Sequence, residues 1–206
     1  MKNNDKTRYN ISKAVERNID NVLSNINERN PVKLRDYTPK ALVNNGIKDL
    51  PMYENPFHIR TNILTEQEAI QKGIKTRTKD NYHGLGKDLF IKVIDSIDRP
   101  RVIFKKNDSN DYIILTELKD ANNKNIIVPI DIETITKVNR INIDTNRIKS
   151  AYGRNNLKSW IEGNINRGVF TKIYENKKAQ GMGTIPIASA PKNRSSLNNN
   201  SIAPKE

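Results

Sequence analysis

The feature that most constrains the fold is a series of strand-like segments in the middle of the chain, at 101–106, 111–118 and 126–133. Apolar residues alternate along the third segment from Ile126 to Ile132, which is the period of a strand that buries one face. Polar turns at 107–110 and 120–125 join the segments, and turns this short pair consecutive strands antiparallel. Because Pro129 has no backbone N–H, we predict that the third strand lies at an edge of the sheet or is bulged there.

Segments with helical spacing of apolar residues surround these strands. They precede the strands at 12–27, 39–45, 57–72 and 87–97. A further helix, capped by Asn155 or Asn156, and a last strand at 169–175 follow. Thr38 before Pro39 is predicted to cap the second helix. This order indicates an α+β fold, in which N-terminal helices pack on one antiparallel sheet and one helix precedes the last strand.

The length of 206 residues suits one domain of ordinary size with appendages. We expect three parts: an N-terminal arm at 1–30, a folded domain at 31–179 and a disordered tail at 180–206. The arm begins with a polar stretch, which we expect to be disordered through Tyr9, and continues with a narrow apolar stripe from Val15 to Ile26. A stripe of this kind packs against another surface, so the segment is interpreted as an arm or a partner-binding helix.

The composition excludes several classes of protein. There is no cysteine, so disulfide bonds and thiolate metal sites are excluded. No apolar run reaches about 18 residues, and the start MKNNDKTRYN has no apolar core, so we expect neither a membrane span nor a conventional signal peptide. The patterns of P-loops, dinucleotide sites, zinc proteases and the serine nucleophile elbow are also missing.

Positive charge is concentrated between residues 137 and 178. Ten lysines and arginines face three acids there, a net charge of +7 out of +13 for the whole chain. A focused positive field attracts polyanions, of which nucleic acid is the most common. A solvated basic face, or a surface for an acidic protein, would show the same composition.

Two histidines are available for acid–base chemistry. His83 lies between a polar loop and the helix at 87–97, and the neighbouring Gly84 and Gly86 let the backbone come close to a ligand. An imidazole there could take a proton from a ribose 2′-hydroxyl and return one to a leaving oxygen; the alternative is an ordinary surface histidine. His58 lies at a helix start and is interpreted as structural.

The basic stretch that follows the strands supplies the other groups that metal-free RNA cleavage needs, which are cations and hydroxyls around phosphorus. Lys149, Ser150, Tyr152 and Arg154 lie within six positions, and in an extended stretch the last three share one face. The alternative is that Tyr152 fills the core, Ser150 bonds a turn and Arg154 is solvated.

A series of short motifs runs through the chain in a recognisable order. They are TPKALVNNGIKDLPMY (38–53), PFHIR (56–60), YHGL (82–85), DRP (98–100), RVIFKK (101–106), DYIILTELKD (111–120), IIVPI (126–130), INIDTNRIKSAYGR (141–154) and GVFTKIYENKKA (168–179). In order and spacing they resemble the C-terminal domain of phage MuF-type proteins, over roughly residues 31–179.

The resemblance implies helices packed on a roughly four-stranded antiparallel sheet, as in the barnase, EndoU, colicin and RelE-like nuclease group. It implies a ribonuclease that needs neither metal nor cofactor, often a toxin component of phages or conjugative elements. His83 matches the family's histidine, and Ser150 and Tyr152 match its S-x-Y motif. The basic member of the site is Lys149, Arg154 or Arg140.

Three functions follow from these observations. The first is a toxin-type ribonuclease with RNA as its substrate, acting in the cytoplasm of a target cell or carried on a virion. Its expected partners are an acidic immunity protein and, through the N-terminal helix, phage or mobile-element proteins. The second is a non-catalytic module that binds nucleic acid or associates with the virion. The ribonuclease and the non-catalytic module are distinguished by geometry: the ribonuclease requires His83 within reach of Ser150 or Tyr152 in one basic cleft.

The third function is that of an ADP-ribosyltransferase toxin. Glu66 and Glu68 fit the loose E-x-E pattern of those enzymes. That chemistry requires the two carboxylates on strands around a nicotinamide-sized pocket, whereas the sequence predicts a helix here.

Overall fold

The computed structural model describes residues 4–77 and 81–177, and within these ranges the side chains from Lys13 onward. This part of the chain contains six helices: α1 (Asn4–Ser24), α2 (Lys40–Val43), α3 (Pro56–Ile63), α4 (Glu66–Gln71), α5 (Lys87–Ser96) and α6 (Leu157–Asn166). It contains eight strands: β1 (Val32–Arg35), β2 (Met52–Glu54), β3 (Val102–Lys106), β4 (Asp111–Lys119), β5 (Asn125–Val138), β6 (Ile141–Ile148), β7 (Tyr152–Gly153) and β8 (Phe170–Glu175). The predicted tail from residue 180 lies outside the described residues.

The strands form one mixed sheet in the order β1-β2-β6-β5-β4-β3-β8, and β7 pairs with β5 beyond the end of β6. Every pair is antiparallel except the parallel pair β2–β6. The α+β class and the helix before the last strand are confirmed, but the expectation of roughly four strands is wrong for the described chain. Four strands are additional: β6 has eight residues, whereas β1, β2 and β7 have two to four residues each, too few to show a period-two pattern.

The sheet buries side chains on both faces, because alternate residues of its central strands point in opposite directions. Ile103 belongs to a large core under α1, α3 and α5, whereas its neighbours Val102 and Phe104 belong to a second core under α6. The sheet is therefore covered on one face by α1, α3 and α5, with Leu42 of α2 and Ala69 of α4 in the same core, and on the other face by α6, which fits the layered α+β architecture.

The N-terminal helix is longer than predicted and packs on the rest of the chain. It begins at Asn4, so the prediction of disorder through Tyr9 is wrong for the helical residues of that stretch. Val15, Ile19 and Val22 are buried in the larger core, while Ile26, beyond the end of the helix, is 38% exposed. The apolar stripe of the arm is thus covered mainly by the adjacent domain.

The capping prediction for α2 is wrong. Thr38 makes no side-chain cap; its hydroxyl donates to the carbonyl oxygens of Lys48 and Leu50 and accepts from the Asn146 amide. Caps do form at the next two helices, where Asn55 accepts from the Phe57 N–H and Thr65 forms a capping box with Glu68.

Pro129 lies in the interior of the sheet, so the prediction of an edge strand is wrong and that of a bulge is correct. Ile130 pairs with Ile148 on β6, and Ile127 pairs with Tyr152 on β7. Between these pairs, two residues of β5 face three residues of the other chain segment, which is a β-bulge. The Pro129 carbonyl accepts from the Lys149 N–H, and proline has no N–H to return the bond. The bulge therefore contains Ser150 and Ala151.

Candidate active site

His83, Ser150 and Tyr152 come together at the bulge between β6 and β7. His83 Nε2 lies 3.2 Å from Ser150 Oγ. The Tyr152 ring stacks on the imidazole, with 5.0 Å between ring centroids and 25° between planes. The sequence predicted these three residues as the site, and the fold places them in contact although 67 positions separate His83 from Ser150.

His83 is positioned by the C-terminal end of α3. The backbone N–H groups of residues 83–86 donate to the last carbonyl oxygens of that helix, at Thr61, Leu64, Asn62 and Ile63. These carbonyls have no partner within the helix, so the loop satisfies them and is fixed in return. Gly84 has φ +60°, and a Cβ on it would lie 2.8 Å from Thr65 Cγ2. The glycine next to His83 thus allows the loop to close on the helix, rather than on a ligand as the sequence suggested.

Asn62 connects the histidine cluster to the core, and the sequence analysis missed it. Its Oδ1 accepts from Ser150 Oγ at 3.0 Å and from the Ala151 N–H at 3.1 Å. Its Nδ2 donates to Glu54 Oε1 at 2.6 Å. Asn62 is fully buried, so these three bonds replace its contacts with water. No local pattern marks Asn62 in the sequence, because its role comes from burial and from partners on other segments.

The hydrogen bonds define the tautomer of His83. The Ala151 N–H can only donate, so the atom of Asn62 that faces it is the oxygen. The Ser150 hydroxyl gives its single proton to the same oxygen. Nε2 of His83 must then carry a proton and donate to Ser150 Oγ, which leaves the lone pair on Nδ1. In this arrangement the hydrogen bonds of Ser150 and Asn62 hold the imidazole in one orientation.

Burial shifts the protonation of two groups in this network. Desolvation lowers the pKa of His83 below its ordinary value, so the imidazole is neutral at pH 7. Desolvation raises the pKa of Glu54 well above its ordinary value, and the hydrogen bond from Asn62 opposes this only in part. The Glu54 carboxyl is 0% exposed, and its Oε2 has no hydrogen-bond partner among the described residues. The buried carboxyl of Glu54 therefore lies behind Asn62 and keeps its proton to a higher pH than an exposed glutamate does.

The predicted cations are held in different ways. Lys149 Nζ lies 3.0 Å from both carboxylate oxygens of Asp111. The Arg154 guanidinium lies 4.6 Å from the centroid of the Trp160 ring, which is a cation–π contact. Arg140 lies in the turn before β6, and that strand separates it from the bulge by roughly 25 Å. The fold brings Lys149 and Arg154 to the chain segment of Ser150 and does not bring Arg140.

His58 is closer to the candidate site than its structural interpretation implied. It lies one helical turn before Asn62 on α3, so the two side chains share a face. Burial lowers the pKa of His58 most, and the positive charges of Arg147 and Lys149 lower it further. Its ring also makes an edge contact with Phe57, with 5.5 Å between the centroids.

The geometry expected for an ADP-ribosyltransferase is not present. Glu66 and Glu68 lie in the first turn of α4, and Glu68 is used in the capping box with Thr65. Within 4–77 and 81–177, no three His, Asp or Glu side chains are grouped to hold a metal ion. None of the helices in these ranges has the length and apolar character to span a bilayer.

Comparisons with known proteins support the resemblance for the motifs from residue 82 onward, whereas the motifs at 38–53 and 56–60 lie outside the match. Neither the curated proteins nor the solved structures include a match. The family model described as the phage MuF C-terminal domain matches residues 75–181, more than half of the 206 residues. The matched region contains His83, Ser150 and Tyr152 and begins after α3, which carries Asn62. The chain therefore belongs to the family of phage MuF C-terminal domains.

Proposed function

We propose that this domain is a metal-independent endoribonuclease, acting as a toxin-type effector of a phage or mobile element. The observation that carries the proposal is the 3.2 Å contact between His83 Nε2 and Ser150 Oγ, with Tyr152 stacked on the imidazole. A neutral histidine held in one orientation is the group that a general base requires. Family membership supports the nuclease group, and the residues of this cluster supply the chemistry.

The reaction is an intramolecular transesterification, in which the phosphoryl group moves from the 5′-oxygen to the 2′-oxygen. The ribose 2′-oxygen attacks the adjacent phosphorus, and its proton passes to His83 Nδ1. The bond from phosphorus to the 5′-oxygen breaks, and that oxygen takes a proton from water. The imidazolium then returns its proton to the solvent. The products are a 2′,3′-cyclic phosphate and a 5′-hydroxyl, and DNA is not cut because it lacks the attacking oxygen.

In this proposal, Lys149 and Tyr152 stabilise the negative charge that develops on the phosphoryl oxygens. The Lys149 side chain is 40% exposed despite its pair with Asp111. A phosphate in the site would compete with Asp111 for this cation. The tyrosine hydroxyl and the lysine are hydrogen-bond donors to an oxyanion, which is the usual means of stabilising such charge.

The test is cleavage of a labelled single-stranded RNA in EDTA by the parent chain and by His83→Ala. We expect the substitution to lower the rate by about 10²–10⁴ through loss of the base. Arg140→Ala is the matched control, since it removes a side chain from the distant turn before β6, and its rate should equal the parent's. Single-stranded DNA of the same sequence should remain intact.

Equal cleavage by parent and His83→Ala, a requirement for Mg²⁺, or equal cutting of DNA would contradict the mechanism. Binding of RNA without cleavage would favour the non-catalytic module. An acidic immunity protein, phage proteins bound through α1, and action in a target cell or on a virion are further parts of the proposal. They are tested by co-purification from cells that carry the neighbouring genes.

A further inference from the structure

A cleft of about 850 Å³ is lined in part by Phe57 and Tyr82, which directly precede His58 and His83 in the chain. Its walls come from the segment after α1, the first turns of α3, and the segment that follows α4, with Tyr82 at one side. The volume falls in the range of about 300–1,000 Å³ that is typical of ligand sites. The cleft is formed by residues other than those of the site described above, so it requires a separate explanation.

The described residues that line the cleft include four cations and no carboxylate: Arg29, Arg60, Lys75 and Arg77. Arg60 is 3% exposed and donates to the backbone oxygens of Val22, Asn25 and Glu28, so it supports the wall. Arg29 donates only to backbone oxygens among the described residues. The nearest carboxylate, Glu28, accepts from the Arg29 and Asn30 N–H groups.

Lys75 is exposed and makes no ion pair within 4–77 and 81–177. Two cations near the bulge differ in this respect, because Arg147 pairs with Asp131 at 2.7 Å and Lys149 pairs with Asp111 at 3.0 Å. Although the sequence concentrates charge in 137–178, positive charge that is open to a polyanion is also present in the cleft. A phosphate gains more from a cation that has no carboxylate partner to lose.

Aromatic rings lie among these cations. Phe57 is 42% exposed, an unusual position for a large apolar ring, and Tyr82 lines the same cleft. Aromatic faces beside lysine and arginine are the means by which proteins hold single-stranded nucleic acid, since every base can stack and every phosphate is an anion. The composition of the cleft therefore fits an unpaired RNA strand better than a small apolar ligand.

Two chain segments are shared by the cleft and the candidate site. Phe57 immediately precedes His58, and Tyr82 immediately precedes His83. On both segments, an aromatic residue of the cleft is followed by a histidine that points toward the Ser150 region or lies near it. We propose that this cleft binds the single-stranded RNA that flanks the scissile bond, with a base stacked on Phe57 and phosphates at Arg29 and Lys75. This inference rests on the proposed ribonuclease function.

The test measures binding separately from cleavage. Affinity for a fluorescent single-stranded RNA is determined by anisotropy over a range of salt concentrations, with His83→Ala in every variant so that the probe is not cut. In this background, Arg29→Gln with Lys75→Gln should weaken binding at least tenfold and lower the slope of log K against log salt by about 1.4, the effect of two lost phosphate contacts. Lys137→Gln with Arg140→Gln is the control, since it removes the same charge from the end of the β5–β6 hairpin and should change affinity by less than threefold.

The stacking residue has its own variants. Phe57→Ala should weaken binding by about 5- to 150-fold without changing the salt slope, and Phe57→Tyr should restore most of the affinity. Thermal unfolding of each variant shows whether it is folded. Equal losses from the cleft pair and the hairpin pair, or an unchanged affinity in Phe57→Ala and the cleft pair, would overturn the inference.

The outcomes also separate this inference from the proposed function. If the parent does not cut RNA but the cleft variants lose binding, the cleft is an RNA site and the ribonuclease proposal fails. If the parent cuts RNA and cleft variants with an intact His83 bind and cut as well as the parent, the ribonuclease proposal holds and the cleft inference fails.

Discussion

Glu54 should make the protein less stable as the pH rises above about 4.3, the pKa of an unperturbed glutamate. Its carboxyl is completely buried on β2, and burial raises its pKa well above the ordinary value. The unfolded chain loses this proton near pH 4.3, whereas the folded chain keeps it to a higher pH. Between the two pKa values the folded state binds one more proton. The free energy of unfolding therefore falls by about 1.4 kcal/mol per pH unit in this window, and the contribution is complete only below the unfolded pKa.

Glu54→Gln isolates this contribution. Its side-chain oxygen can keep the bond from Asn62, and the side chain no longer ionises. The free energy of unfolding of the variant minus that of the parent should therefore rise by about 1.4 kcal/mol per pH unit and become constant above the folded pKa. The new amide has N–H groups without partners at the position of Oε2, which costs about 1–3 kcal/mol at every pH and changes the offset only.

Urea unfolding at half-unit steps from pH 5 to pH 9 measures this difference. His58 and His83 have lowered pKa values, so their contribution is present above about pH 6.5 and is lost as the pH falls. The parent and Glu54→Gln both contain these histidines, so the contribution of the histidines cancels when the two free energies of unfolding are subtracted. Glu117→Gln on β4 is the matched control, because it removes one exposed carboxylate. Parallel curves for parent and Glu54→Gln would refute the reasoning.

Two further predictions concern packing around the site. Asn62→Leu removes the partner of the buried Ala151 N–H and of Glu54 Oε1. It should therefore lower the free energy of unfolding, measured in urea, by about 2–5 kcal/mol, and it should broaden the pH dependence of any cleavage. A loss of stability below about 1 kcal/mol would contradict this prediction. Trp160→Ala should cost less than the roughly 3–5 kcal/mol of a fully buried tryptophan, because this side chain is only partly buried, although it contacts Phe170 and Arg154.

The parts of the fold that local pattern specifies could be predicted from the sequence. The alternation in 126–133 and the short turns beside it identified β3 to β5, and the apolar face of 87–97 identified α5. The parallel pairing of β2 with β6 could not be predicted, because it joins two segments that are distant in the chain and one of them has three residues. Pairing of this kind depends on the tertiary fold rather than on local spacing.

The candidate site likewise contains residues that could be predicted from the sequence and residues that could not. His83, Ser150 and Tyr152 were predicted as one site from their residue types together with the resemblance to the MuF family, and the fold places them in contact. Asn62 and Glu54 could not be identified, because their importance comes from burial and from partners on other segments. Arg140 was a candidate because it is a cation of the basic segment, yet the length of β6 separates it from the cluster.

The proline in β5 also protects the register of the central strands during folding. A slip of β5 by two residues would keep every side chain on its proper face, so the hydrophobic pattern alone does not prevent it. Such a slip would move Pro129 away from the bulge to a position where β6 or β7 needs a donor, and would leave a buried carbonyl oxygen unsatisfied at a cost of about 1–3 kcal/mol. A residue without an N–H thus marks the one alignment in which the strands pair fully and Ser150 faces His83.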